Sequence, residues 1–235
     1  MIKILTVFVL LTASLKSNGQ SAESYSKNGI SKAEKGDYKG AIADYTKAIE
    51  LNPKDAEAYY NRGNAKANLQ DYRGAIADYT KSIELNPKDY KVYYNRGIDK
   101  GKLEDYRGSM ADYTIAIELN PKDARAYYNR GNAKRKLEDY RGVIADYTKA
   151  IELNPKFAEA YTDRGAAKDI LQDYRGAIAD YTKAIELNPK YARAYYNRGI
   201  AKFNLKEKDG ACLDWSKAGE LGYTDAYDLI KKYCN

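Results

Sequence analysis

Histidine is missing altogether from this chain, and cysteine occurs only as Cys212 and Cys234. Without an imidazole there is no histidine general acid or base, no serine-histidine-aspartate triad and no histidine-bearing zinc site. Two cysteines are too few for a four-cysteine metal site, and no glycine-rich loop of the Walker type occurs to cradle a phosphate. Long apolar runs are lacking too. The one extended stretch, residues 4–15, falls short of the roughly 20 residues that a membrane-crossing helix needs. Carboxylates are abundant but recur at fixed intervals, as Glu50, Glu84, Glu118, Glu152 and Glu186. That periodicity reads as a solvated helix face, not as a catalytic pair. No enzymatic activity, cofactor or metal is therefore expected.

Proline is scarce in the same patterned way. Pro53, Pro87, Pro121, Pro155 and Pro189 stand 34 residues apart and are the only prolines. They mark a repeat that runs without insertion or deletion through residues 22–55, 56–89, 90–123, 124–157, 158–191 and 192–225, and a period of this length signals a stacked array. Each unit holds two stretches with apolar residues at helical spacing, in the second unit about residues 56–69 and 72–85. Asn-Pro closes the second stretch, because proline lacks the amide hydrogen and disfavours helical geometry in the residue before it. An all-α array of helical hairpins is expected over residues 20–225. Stacked repeats leave an apolar face bare at each end. Residues 226–235, with Leu229, Ile230 and Tyr233 apolar and Lys231 and Lys232 charged, read as the capping helix that covers it.

The spacing of Tyr59, Gly63, Ala75, Tyr79 and Pro87 resembles the pattern of the tetratricopeptide repeat (TPR) family, and the resemblance extends over residues 22–225. It implies a right-handed superhelical solenoid of antiparallel helix pairs whose first helices line a concave groove for an extended or helical peptide. In that register the groove offsets carry Tyr60, Asn61 and Asn64, then Tyr94, Asn95 and Ile98, then Tyr128, Asn129 and Asn132. Thr162, Asp163 and Ala166 follow, and then Tyr196, Asn197 and Ile200. Asn61, Asn95, Asn129 and Asn197 resemble the asparagine ladders with which superhelical members of the family hold polypeptide. A carboxamide can donate to a carbonyl and accept from an amide. Asp163 interrupts the series. The clamp with which other members grip a terminal carboxylate is incomplete: Asn64 and Asn95 match it and Arg125 can replace one lysine, but Tyr60 and Asn129 occupy two of its cationic positions.

Two offsets depart from the family pattern. Arg62, Arg96, Arg130, Arg164 and Arg198 stand where leucine is common, and Lys66, Lys100, Lys134, Lys168 and Lys202 where tyrosine is common. Each unit also carries an aspartate before its second aromatic, at Asp78, Asp112, Asp146, Asp180 and Asp214. An ion-pair ladder between the two helices is expected, with arginine stems packed on tyrosine rings. Cations neutralised in this way do not form a nucleic-acid surface, so no nucleic-acid partner is expected despite a formal charge of +7. Lys91, Lys102, Arg125, Arg135 and Lys136 cluster at groove offsets of the third and fourth units, and Asp163 and Asp169 follow in the fifth. A groove that is first basic and then acidic suits a ligand with an acidic stretch.

Residues 1–19 have a different composition: Lys3, the apolar run, and then Ser17 and Gly19 three and one residues before Gln20. This reads as a cleavable secretory signal. Its removal takes away two lysines and no acid, leaving +5 from +7. Export, to the periplasm of a bacterium or outside the cell, is the expected location, with no membrane span once the signal is gone. In an oxidising compartment Cys212 and Cys234 can pair; alternatively Cys212 is a small packing residue at the offset of Ile76, Met110, Ile144 and Ile178. The functional expectation is a non-catalytic scaffold that binds a protein or peptide ligand through Tyr60, Asn61, Asn64, Lys91, Tyr94, Asn95, Arg125, Tyr128, Asn129, Asn132, Tyr196 and Asn197. The second reading is a spacer or self-associating module, a homo-oligomer within an envelope assembly.

Overall fold

A computed structural model describes residues 21–234, so the expected export signal, residues 1–19, lies outside the described residues. Those residues form thirteen helices and no strand: α1 Ala22–Glu34, α2 Tyr38–Leu51, α3 Ala56–Asn68, α4 Tyr72–Leu85, α5 Tyr90–Lys102, α6 Tyr106–Leu119, α7 Ala124–Lys136, α8 Tyr140–Leu153, α9 Ala158–Ile170, α10 Tyr174–Leu187, α11 Ala192–Asn204, α12 Lys208–Glu220 and α13 Ala226–Tyr233. Consecutive helices pack against each other along the whole series, and α13 packs on α12. First helices also meet across hairpins, α1 with α3, α3 with α5, α5 with α7 and α9 with α11. The result is a right-handed solenoid of helix pairs whose odd-numbered helices form the inner face.

Local chemistry sets the turn inside each hairpin. Asp37, Asp71, Asp105, Asp139 and Asp173 cap the second helices, each side chain accepting from the amide of the glycine three residues on. The first helix of each pair ends in a reversal that returns two amides to its last turn, as Gln70 to the Ala67 carbonyl at 2.9 Å and Asp71 to the Lys66 carbonyl at 3.0 Å. This geometry needs a left-handed residue. Gly36 supplies it in the first hairpin, whereas Gln70, Glu104, Glu138, Gln172 and Lys206 adopt φ near +60° in the others. Each of these five side chains costs roughly 1 kcal/mol, offset by the carbonyls that the reversal satisfies.

The helix crossings are tight. A Cβ on Gly63 would lie 2.7 Å from the Tyr79 ring and 3.3 Å from the Ala75 carbonyl, and the same contact recurs at Gly97, Gly131, Gly165 and Gly199. Tyr79, Tyr113, Tyr147, Tyr181 and Trp215 are buried beside these glycines as core residues.

The ion-pair ladder is present and reaches further than expected. Arg62 donates Nε and Nη2 to the two oxygens of Asp78 at 2.9 and 2.7 Å, and Lys66 Nζ lies 2.7 Å from the same carboxylate. The arrangement repeats at Asp112, Asp146, Asp180 and Asp214. Each guanidinium sits over a tyrosine of its own helix, Arg62 over Tyr59 at 5.5 Å. Its remaining nitrogen, Nη1, donates to a threonine of the preceding hairpin: Thr46, Thr80, Thr114, Thr148 and Thr182 in turn. One arginine therefore ties its own two helices together and joins its unit to the one before. In the first hairpin Asn28 takes the arginine's place, and Lys32 alone approaches Asp44, at 2.7 Å.

The C-terminal helix covers the last pair. Leu229, Ile230 and Tyr233 pack on Ala211, Trp215 and Ala218, with Phe203 and Tyr233 ring centres 4.5 Å apart. Cys212 and Cys234 are joined across this contact.

Candidate functional site

The inner face is organised by hydrogen bonds between successive first helices. Asn95 donates from its amide to Tyr60 Oη at 3.1 Å and to Asn64 Oδ1 at 2.9 Å, while Tyr79 Oη donates to that same Asn64 oxygen at 2.8 Å. Asn129 donates to Tyr94 Oη at 2.9 Å, and Tyr147 donates to Asn132 Oδ1 at 2.8 Å. Burial raises the pKa of Tyr79 and Tyr147, so both hydroxyls remain donors.

These bonds correct the expected asparagine ladder. Asn95 spends both amide hydrogens on the preceding unit and presents only the carbonyl Oδ1 to a ligand, whereas Asn129 spends one and keeps the other beside its Oδ1. Tyr60 and Tyr94, having accepted those bonds, keep a hydroxyl hydrogen to give. Asn61 and Asn197 make no such rung, because the residues 35 positions earlier are Ser26 and Thr162 instead of tyrosine, and the Thr162 hydroxyl donates to the Ala158 carbonyl of its own helix. Asp163 does not merely interrupt the series. It reverses the rung, accepting from Tyr128 Oη at 2.5 Å, and it pairs with Arg193 Nη2 at 2.8 Å.

The acidic half of the groove is corrected for the same reason. Asp163 is buried and neutralised by Arg193. Asp169 accepts from Tyr181 Oη at 2.7 Å, and burial pushes its pKa up to about 6. In the basic half, Lys91, Lys102, Arg135 and Lys136 are exposed, with Lys136 Nζ 5.9 Å from the Tyr106 ring centre. Arg125 is engaged with Asp123 at 3.1 Å and lies over the Tyr94 ring.

Three cavities collect the groove residues. One of about 390 Å³ between α5, α6 and α7 brings together Ile98, Gly101, Lys102, Tyr106, Asn129, Asn132, Arg135 and Lys136. Gly101 adds room to it, having no side chain where other units carry Ala67, Arg135, Asp169 and Phe203. A second, of about 250 Å³, gathers Tyr60, Asn61 and Lys91. The third, of about 210 Å³, holds Asn64 and Asn95. Tyr196 and Asn197 lie apart, where Tyr196 packs on Tyr223 at 4.6 Å.

The third cavity also holds a residue that the register reading passed over. Asp99 is 4% exposed, and its Oδ2 is buried without a hydrogen bond. Burial pushes its pKa up to about 6, against a weaker opposing pull from Lys102. The signal for it was in the repeat itself: Ala65, Ala133, Ala167 and Ala201 occupy the same offset. Among the described residues no cluster of three or more potential ligand side chains could hold a metal ion, and no helix is long and apolar enough to cross a membrane.

The family profile described as tetratricopeptide repeat matches residues 56–89 and 124–157, and the profile described as TPR repeat matches residues 31–70, 101–138 and 170–206. The chain is a tetratricopeptide repeat protein. A search of curated protein sequences finds no match to it, so the nearer comparisons are structural. YrrB, described as a TPR protein with an unusual peptide-binding site, superposes with a TM-score of 0.71 at 25% identity, over 80% of this TPR protein and 97% of YrrB. MamA from Desulfovibrio magneticus RS-1 matches with a TM-score of 0.70 at 26% identity, over 74% and 98% of the two chains. PilF of Pseudomonas aeruginosa has a TM-score of 0.73 at 16% identity, over 90% and 97%, a likeness of fold alone.

Proposed function

We propose that this TPR protein is an exported, non-catalytic scaffold that holds a peptide or protein segment in its concave face. The observation that carries this reading is the set of groups the inter-repeat rungs leave over. Tyr60 and Tyr94 retain hydroxyl hydrogens, and Asn95 and Asn129 retain carbonyl oxygens, all held in place by bonds already made. Groups fixed before a ligand arrives lose little entropy on binding. Each hydrogen bond contributes only about 1 kcal/mol net, so a row along an extended backbone suits the geometry better than a single contact. YrrB's peptide-binding site supports the same use of a related array. Export rests on the character of residues 1–19 and on the cysteine pair.

The test is capture from envelope extract by the protein from Gln20 onward, comparing the wild type with the combined Tyr60→Phe and Tyr94→Phe variant, which removes the two spare hydroxyl hydrogens. Phenylalanine keeps both rings, and circular dichroism checks that the variant is folded before capture is compared. A partner retained by the wild type and lost by the variant supports the groove reading. Equal recovery refutes it. Leu213 and Tyr227, exposed near the C-terminal end, favour the second reading, self-association, and sedimentation of the purified protein would reveal it as a concentration-dependent oligomer.

A further inference from the structure

Six aspartates of this array, Asp78, Asp99, Asp112, Asp146, Asp180 and Asp214, are almost fully buried at 2 to 4% exposure. Five of them each hold an arginine and a lysine. Asp99 holds neither: its carboxylate takes part in no ion pair or hydrogen bond, and Lys102, three residues along the same helix, is exposed. A carboxylate at an alanine offset of the core is costly unless something donates to it.

Asp99 stands on the wall of the 210 Å³ cavity, which opens on the groove beside Asn64, Ala67, Asn68, Tyr79, Asn95 and Ile98. The polar capacity left on these walls both donates, through the Asn64 amide and the second amide hydrogen of Asn68, and accepts, and Asp99 is the one charged group among it. Asn95 has given its amide hydrogens to Tyr60 and Asn64 and keeps Oδ1, and Asn68 donates to the Asn64 carbonyl and also keeps Oδ1. Ala67 and Ile98 are apolar, and Tyr79 adds an aromatic ring of the kind that attracts cations. A negative charge, two spare carbonyl oxygens and apolar walls together fit a long side chain with a cationic, donor-rich tip.

We propose that this cavity is a subsite for a basic side chain of the groove ligand, a lysine ammonium or arginine guanidinium that donates to the Asp99 carboxylate. The proposal rests on the groove reading and adds the chemistry of one ligand position to it. Ile98 borders both this cavity and the larger one carrying Lys102, Arg135 and Lys136. A segment with a basic residue beside an acidic one would therefore match both cavities in charge.

The experiment follows the Asp99 carboxyl carbon by NMR in the full chain labelled at aspartate, with the resonance assigned by its loss in Asp99→Ala. That variant should fold, since alanine occupies the same offset in four other units. The probes are N-acetyl-lysine amide, its uncharged analogue N-acetyl-norleucine amide, and cadaverine as a free amine. Saturable movement of the Asp99 resonance with the lysine probe but not the norleucine probe is expected, with about tenfold weaker binding of the lysine probe to Asp99→Ala. A resonance that moves with neither probe, or equally with both, overturns the subsite. Movement with cadaverine alone assigns the cavity to a free amine and overturns the peptide side chain as its occupant. Envelope capture by Asp99→Ala keeps the two readings apart: a partner retained by it beside a silent Asp99 resonance rejects the subsite while the groove reading stands.

Discussion

Replacing Asp146 and replacing Asp99 by alanine remove the same group from positions of equal burial, each 4% exposed, yet the two changes should move stability in opposite directions. Asp146 accepts Nε and Nη2 of Arg130 at 2.9 and 2.7 Å and lies 2.8 Å from Lys134 Nζ. Its loss strands two cations whose side chains are only 17 and 18% exposed. Removing one partner of a fully sealed pair costs 3–5 kcal/mol, and the solvent edge here puts Asp146→Ala at about 3 kcal/mol. Asp99 has no partner to strand. Its folded pKa is raised from the usual 3.8 to about 6, so between those values the folded state binds a proton that the unfolded state lacks. Stability therefore falls as pH rises through that window and stays low above it. At about 1.4 kcal/mol per pH unit the full penalty is roughly 3 kcal/mol, and about 2 after allowance for screening. Asp99→Ala should accordingly gain about 2 kcal/mol at neutral pH and almost nothing near pH 4. Urea titration by circular dichroism at both pH values reads the effect, provided the denaturant slope is unchanged. The reasoning fails if Asp99→Ala destabilises at neutral pH, if its gain is the same in acid, or if Asp146→Ala costs less than about 0.5 kcal/mol.

Three further outcomes are expected. Reducing the Cys212–Cys234 bond, which spans a sequence separation of 22, should cost about 3 kcal/mol; hydrogen exchange should quicken in α12 and α13 and stay constant in α5 to α8, and unchanged exchange in α13 would count against the staple. Gly131→Ala places a Cβ 2.6 Å from a Tyr147 ring that is anchored through its hydroxyl to Asn132; overpacking of this kind should cost about 2 kcal/mol by urea titration, and a neutral result would show that the helices can separate freely. Tyr128→Phe removes the bond to Asp163 and leaves Arg193 as that carboxylate's partner; a loss of about 1–2 kcal/mol in thermal unfolding is expected, and no change would show that the reversed rung contributes nothing.

The period, the hairpins and the cap were legible because spacing along a chain sets them. Proline at one offset and aspartate at the start of the second helix act within a few residues, and each glycine at a helix crossing meets the aromatic 16 positions on as soon as its hairpin closes. The ion pairs between Arg130, Lys134 and Asp146 were legible for a related reason, since a hairpin of known register brings those offsets together. The threonine contacts were harder to foresee. Thr114 precedes Arg130 by a whole helix, and their meeting depends on how one hairpin leans on the next. The groove was legible as a set of positions but not as a set of free hydrogen-bonding groups.

Sequence alone determined that this is a tandem array of helical pairs with buried tyrosines, paired cations and no histidine chemistry, because those properties follow from composition and from a period that never slips. Tertiary structure decided which groove groups are spent and which are spare. Asn95 reaches Tyr60 and Tyr128 reaches Asp163 across 35 residues, and contacts of that kind exist only once neighbouring units have a fixed rotation. The same packing leaves Asp99 without a partner on a cavity wall while Asp146, as deeply buried, holds two cations. Burial with or without a donor is a property of the assembled face, and the identity of the residue does not contain it.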